Sequence, residues 1–178
     1  MRGVTGLRAG AREHHLVLSD GTTLSSRAVV IATGVTYRRL GIPSLEAFRG
    51  LGVFYGAAVS EAQAVEGEHV IVAGGGNSAG QAALHLADYA AHVTILVRGS
   101  TLAAGMSDYL IKEIDAAANV QVRFGTELVG GDGHGRLETL VVRDRSTGEQ
   151  HHIATVALFV LIGAEPHTSW LPPGRRAR

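Results

Sequence analysis

HVIVAGGGNSAGQAALH, residues 69–85, passes from an apolar run through three glycines into an alanine-rich segment. The run Val70-Ile71-Val72-Ala73 shows no polar alternation, which is the pattern of a strand buried on both faces. Gly74, Gly76 and Ala79 then stand at the spacing of the dinucleotide fingerprint G-x-G-x-x-A. Each position has a physical task. Gly74 permits the tight turn off the strand, Gly76 lets the backbone approach a pyrophosphate, and Ala79 holds the helix close to the sheet. The first N–H groups of a helix have no acceptor inside it, and the helix dipole adds positive potential there. An anionic diphosphate answers both. The plainer alternative is a glycine turn that only joins a buried strand to a helix.

Working outward, the 178 residues are 46% hydrophobic and carry 16 basic and 16 acidic side chains. That length holds one sizeable core, or one domain with part of another. A formal charge of zero points to neither a nucleic acid nor a membrane surface as partner. No apolar run approaches the roughly 20 residues of a membrane-spanning helix, and no signal peptide is readable, so the expectation is a soluble cytoplasmic protein. The chain has no cysteine, which excludes disulfides, thiolate metal sites and dithiol redox chemistry. Its nine histidines are scattered, and the adjacent pairs His14-His15 and His151-His152 face opposite ways on a strand, so no metal site is expected.

Ahead of the fingerprint, residues 4–7 and 15–18 read as strands, and Asp20-Gly21 predicts a type I′ hairpin turn with positive φ at both central residues. The run Ala28-Val29-Val30-Ile31-Ala32-Thr33-Gly34 predicts a buried strand whose small terminal residues let a ligand approach. Residues 35–67 read as a connector, a short strand around Val53–Tyr55 and a polar helix or loop, with a domain boundary near residue 40. After the fingerprint comes a second apolar strand, residues 92–98. The fingerprint expects a ribose-binding acid about 20 residues beyond the glycines. Arg98 stands there instead, and an arginine can pair with a 2′-phosphate, which favours NADP over NAD. Ser107 and Asp108 open a helix with Leu110, Ile111, Ile114 and Ala117 at helical spacing. Residues 120–124 with 126–129, 137–143 and 151–154 read as a β-meander, with turns at Gly130-Gly131-Asp132-Gly133 and Ser146-Thr147-Gly148. A last buried strand, residues 156–162, ends at Gly163, and nothing is readable in the closing LPPGRRAR. The fold class is therefore α/β, a Rossmann-like nucleotide-binding domain built of a parallel sheet plus a meander.

AVVIATGVTYRRLGIPSLEAFRGLGV, VIVAGGGNSAGQAALHLA, VTILVRG and FVLIGAEPHT, in that order, resemble the low-molecular-weight thioredoxin reductases, flavoproteins with two dinucleotide-binding domains. The likeness spans about residues 1–170. It implies an FAD-domain remnant at 1–39, an NAD(P)H-binding domain at 40–161 and the start of a returning FAD-domain segment at 162–178. It places Ala32, Thr33 and Gly34 near FAD. Gly74, Gly75, Gly76, Asn77, Ser78 and Ala79 fall on the NADPH pyrophosphate loop, Arg98 on the first arginine of the 2′-phosphate cluster, and Ile162 and Gly163 beside the nicotinamide nucleotide. Three departures accompany the likeness. Gly56 and Val59 stand where the redox-active cysteine pair belongs, so the chain cannot reduce thioredoxin. Gly99 and Ala103 replace the other two arginines of the cluster. The family's N-terminal FAD fingerprint and closing FAD segment are missing, so the chain reads as a piece of a larger reductase.

The resemblance implies a part in passing hydride from NADPH to FAD and on to an unknown acceptor that is not a dithiol. FAD is expected to bind only where the missing segments are supplied, and a homo-oligomer or a completing partner chain is expected. The alternative is a non-catalytic NAD(P)H-binding module, or one chain of a split reductase. A methyltransferase-like unit is disfavoured by the meander. No residue stands out as a catalytic acid, base or nucleophile.

Overall fold

In the computed structural model, which describes residues 2–56 and 59–172, the fingerprint stretch lies at the middle of a five-stranded parallel sheet. The elements in chain order begin with β1 (Val4–Ala9), β2 (His14–Leu18), β3 (Thr23–Ser26) and β4 (Val35–Tyr37). Helix α1 (Pro43–Glu46), β5 (Val53–Tyr55), α2 (Val59–Gln63), β6 (His69–Ala73), α3 (Asn77–Ala87) and β7 (His92–Leu96) follow. Then come α4 (Asp108–Ala116), β8 (Val120–Arg123), β9 (Thr126–Asp132), β10 (Thr139–Asp144), β11 (Gln150–Ala154), β12 (Ala157–Val160) and β13 (Ala164–Pro166). The chain divides into two units, Met1–Thr36 with Ala164–Arg178, and Tyr37–Gly163.

The larger unit is organised by a sheet of order β5-β12-β6-β7-β8, with every neighbour pair parallel. Alternate residues of its central strands enter two separate cores. Val70, Val72, Val93, Ile95, Ala157 and Phe159 pack with α3 and α4 on one face. Ile71, Ala73, Leu96, Leu158 and Val160 pack against Leu45 of α1 and Leu140 and Val142 of β10 on the other. A strand buried on both faces has no polar positions, and for that reason these runs read as continuous apolar sequence. Phe159 is fully buried and stacks on Phe54 at a centroid distance of 5.3 Å. α4 presents Leu110 and Ile114 to the core, as its spacing predicts, and Ser107 is its N-cap residue.

The meander differs from the sequence reading in two ways. Residues 120–123 leave it to become β8 on the edge of the parallel sheet, so the antiparallel sheet is β11-β10-β9. Gly130 and Gly131 lie inside β9 instead of forming a turn. A Cβ on Gly131 would come within 2.4 Å of Leu45 Cδ2, so glycine there makes room for the α1 side chain. The turn at residues 144–148 is as read: Asp144 accepts hydrogen bonds from the Ser146 and Thr147 N–H groups, and Gly148 takes φ +78°. The Ser146 hydroxyl, which also donates to Asp144, and then these backbone bonds hold the Asp144 carboxyl below its usual pKa.

The smaller unit contains the antiparallel sheet β1-β2-β3, and β4 pairs with β13. The hairpin at Gly21 is not type I′. Only Gly21 has positive φ, and its N–H bonds the Leu18 carbonyl at 3.0 Å while Leu18 N–H bonds the Thr22 carbonyl at 2.9 Å. The loop is therefore three residues long, with the glycine in the left-handed position. The expected buried strand at residues 28–34 is also corrected. The segment makes no strand, Val30 is 90% exposed and Ile31 41%. An apolar run needs neighbouring strands to bury it, and none flanks this one among the described residues. The end of the 162–178 segment, from residue 173, lies outside the described residues. No helix among those described is long and apolar enough to cross a membrane.

At the N-terminal end of β6, His69 is half-buried. Its Nδ1–H donates to the Ala154 carbonyl (3.2 Å), and its Nε2 accepts from the Thr94 hydroxyl (2.9 Å). Burial, and then the nearby His92, push its pKa below the usual 6.5. The unfolded chain thus takes up this proton before the folded one does. The stabilisation is complete above the unfolded value of 6.5 and is lost as pH falls below it. The thermal midpoint should therefore drop between about pH 7 and pH 5. His69→Gln, which keeps a donor and an acceptor, should flatten that slope in a pH series of thermal melts.

Candidate functional site

Strand β6 ends at Ala73, and the next two residues are placed by close contacts at the position of a side chain. Gly74 has φ +149°, and a Cβ on it would sit 2.4 Å from the Leu161 carbonyl oxygen and 3.1 Å from Ala79 Cβ. Its N–H bonds Leu96 O at 3.1 Å, while Leu161 N–H bonds Ala73 O at 2.9 Å, so three strand ends are joined at this point. A Cβ on Gly75 would meet Val97 Cγ1 at 3.1 Å. Gly76 is different. It is the N-cap of α3 with φ −106°, and a Cβ there would touch only Gly105 O, at 3.5 Å. The protein itself leaves this position open.

The first helical bonds come from Ala79 and Gly80, both to the Gly76 carbonyl. The N–H groups of Asn77 and Ser78 consequently have no acceptor inside the helix. Both residues are exposed, whereas Ala79 is fully buried and brings α3 against the sheet. The Asn77 side chain accepts from the Ser107 N–H at 2.8 Å, tying the loop after β7 to the helix start. That role was not read from sequence, nor was that of Gly80, where a Cβ would meet Met106 Sδ at 2.9 Å. A glycine one place past the fingerprint was the only signal for it.

Beside Gly74, at the C-terminal edge of the sheet, lies a cleft of about 150 Å³. It is lined by Arg98 and Ile162 as well as Gly74, together with Thr126, Glu127 and Leu128. Gly163 follows with φ +106°, and its carbonyl accepts the Arg38 N–H at 3.0 Å. Three of the sequence-predicted positions thus line one cleft. The acid sought in sequence after β7 has no counterpart there, but Glu127 reaches the same cleft from β9.

Ala32, Thr33 and Gly34 lie in the smaller unit and line a separate cavity of about 620 Å³, with Leu7, His14 and Val29 among its walls. They are held by His167. Its Nδ1–H donates to Thr33 O (3.0 Å), its Nε2 accepts from the Thr36 hydroxyl (2.7 Å), and Thr33 Oγ1 donates to its carbonyl (2.8 Å). No sequence pattern singled out His167. Of the stretch where the resemblance places a cysteine pair, Gly56 is described, and residues 57 and 58 lie outside the described residues.

Residues 2–177 match the family described as pyridine nucleotide-disulphide oxidoreductase. The chain belongs to that family. Its members are flavin- and pyridine-nucleotide-dependent oxidoreductases, and this one has no cysteine. It is 35% identical over 161 residues to the F component of the alkyl hydroperoxide reductase of Pseudomonas putida, a match covering 89% of this chain and 30% of that protein. It is 34% identical over 156 residues to an NADH dehydrogenase of Bacillus subtilis, covering 88% of this chain and 30% of the relative. Among solved structures, T. acidophilum thioredoxin reductase is similar at a TM-score of 0.75 and 26% identity, over 96% of this chain and 55% of that one. The chain therefore spans about a third of the curated relatives' length and about half of the solved structure's. The thioredoxin reductase-like fold expected from sequence is present in this α/β member of the family.

The contrast between the two glycines is measurable. Gly74→Ala should destabilise the fold by at least about 2 kcal/mol, through overpacking and a strained φ. Gly76→Ala should shift stability by no more than about 0.5 kcal/mol. Equal losses in denaturant unfolding would contradict this placement of the turn.

Proposed function

We propose that the chain is the NAD(P)H-binding part of a thioredoxin reductase-like flavin oxidoreductase whose acceptor is not a dithiol. The observation that carries this reading is the open position at Gly76, above a helix start whose N–H groups lack internal acceptors. A diphosphate fits there on chemistry and on space. The N–H groups of Asn77 and Ser78 would bind its oxygens, and Gly76 would let them approach. Gly74 and Gly75 fix the turn, and Ala79 seats the helix. Arg98 would hold the 2′-phosphate of NADP, while Ile162 and Gly163, beyond the neighbouring strand β12, would border the nicotinamide half. A bound nicotinamide supplies hydride chemistry, and the protein's part is to orient it.

Flavin is a different case. Among the described residues, the unit holding Ala32, Thr33 and Gly34 contains no helix, hence no helix N-terminus to receive a diphosphate. The residues present do not fit FAD by themselves. The exposed apolar pair Val30 and Ile31 is the kind of surface another strand covers, which supports self-association or a completing chain. The same observation favours a second reading, a nucleotide-binding chain that acts only when joined to another polypeptide.

Gly76→Val should weaken NADPH binding at least about tenfold, or about 1.4 kcal/mol, with circular dichroism unchanged. Unchanged affinity in calorimetry would remove the site. The chain purified alone should be colourless. A stoichiometric flavin absorption band in material shown by mass spectrometry to be this chain only would overturn the account of the smaller unit.

A further inference from the structure

The sheet edge that carries Arg98 holds further cations, from elements outside the fingerprint. Arg145 follows β10, and its Nη1 donates to the Arg98 carbonyl at 2.9 Å. Its own N–H bonds Gly125 O at 2.8 Å, and Gly125 N–H bonds Gly99 O at 3.0 Å, so the loop after β7 is clasped from the side of the meander. Arg123 ends β8 in register with Leu96 and adds a cation to the same edge. Among the described residues lining the cleft the acid is Glu127, and it is already engaged. Arg143 donates to its Oε1 through Nε (2.8 Å) and Nη2 (2.5 Å), and Arg145 Nε stands 3.9 Å from its Oε2.

We infer that Arg145, a residue of the β10–β11 turn, is a second phosphate-binding arginine that sets a preference for NADP(H) over NAD(H). It supplies the charge that Gly99 and Ala103 do not. The inference rests on the nucleotide reading above. A guanidinium has five N–H donors, and the Arg98 carbonyl takes one of Arg145's. The side chain is 54% exposed, so donors remain free for an anion at Arg98. With Glu127 paired to Arg143, the cleft keeps an excess of positive charge beside Arg98. A 2′-phosphate gains from that excess, and a bare ribose hydroxyl does not.

The test is calorimetric titration of the whole chain with NADPH, NADH, 2′,5′-ADP and 5′-AMP. Arg145→Ala should weaken NADPH and 2′,5′-ADP about tenfold, the worth of one charge-assisted contact, and leave NADH and 5′-AMP within about twofold. Arg145→Lys, which keeps the charge, should recover part of the loss. Equal weakening of all four ligands would make Arg145 a brace for the Arg98 loop and overturn the inference. So would an unaltered chain that prefers NADH and loses that preference in Glu127→Gln, because Glu127 would then be reading the ribose. If the unaltered chain binds none of the four, the nucleotide reading falls and this inference falls with it. If it binds both cofactors and Arg145→Ala leaves their ratio unmoved, only the inference falls.

Discussion

Strand β6 can leave the sheet beside β12 only because residue 74 has no side chain. With the Leu161 carbonyl oxygen 2.4 Å from where a Cβ would stand, any other residue would force the two strand ends apart. Much else follows from that approach. Leu161 N–H reaches Ala73 O, Gly74 N–H reaches Leu96 O, and α3 starts low enough over the sheet for Ala79 to be fully buried. The helix start is then fixed by Gly80 against Met106 and by Asn77 holding the Ser107 amide. A site for a small anion needs this kind of rigidity, since its donors must be aimed before the ligand arrives.

What could be read from the sequence follows the physics of burial. The central strands were legible because two-sided burial writes uninterrupted apolar runs, as in Val70-Ile71-Val72-Ala73. α4 was legible because Leu110 and Ile114 recur with the helical period. Gly131 was misread because a glycine that admits the Leu45 side chain looks, in sequence, like a glycine that turns the chain. Residues 28–34 carry the composition of a buried strand, and β-propensity describes surroundings that the described residues do not provide. The remaining misses are non-local. Arg145 meets Arg98 across 47 positions and His167 meets Thr33 across 134, and no periodicity reports such pairs. Glu127 likewise reaches the cleft only through the pairing of β9 with β10.

The two units differ sharply in what holds them. Among the described residues, nearly every buried apolar side chain belongs to residues 37–163, while Leu7 and Leu18 are those of the smaller unit. Two buried leucines contribute about 3–6 kcal/mol. Ordering a single residue costs roughly 1–2 kcal/mol of backbone entropy. The smaller unit therefore depends on hydrogen bonding such as the His167 network, and on further apolar surface to cover Val30 and Ile31.

β12 lies between β5 and β6, so Leu158 pairs with both Val53 and Ile71 although it follows them by most of the unit's length. During synthesis, β5 and β6 are completed long before the strand that joins them. Until residue 160 emerges, each keeps a bare parallel edge of apolar residues. Contacts of such long sequence separation slow folding, and exposed strand edges invite pairing with other chains. The nascent polypeptide thus meets its greatest risk of aggregation late, and a chaperone that shields β6 until β12 arrives would raise the yield of folded protein.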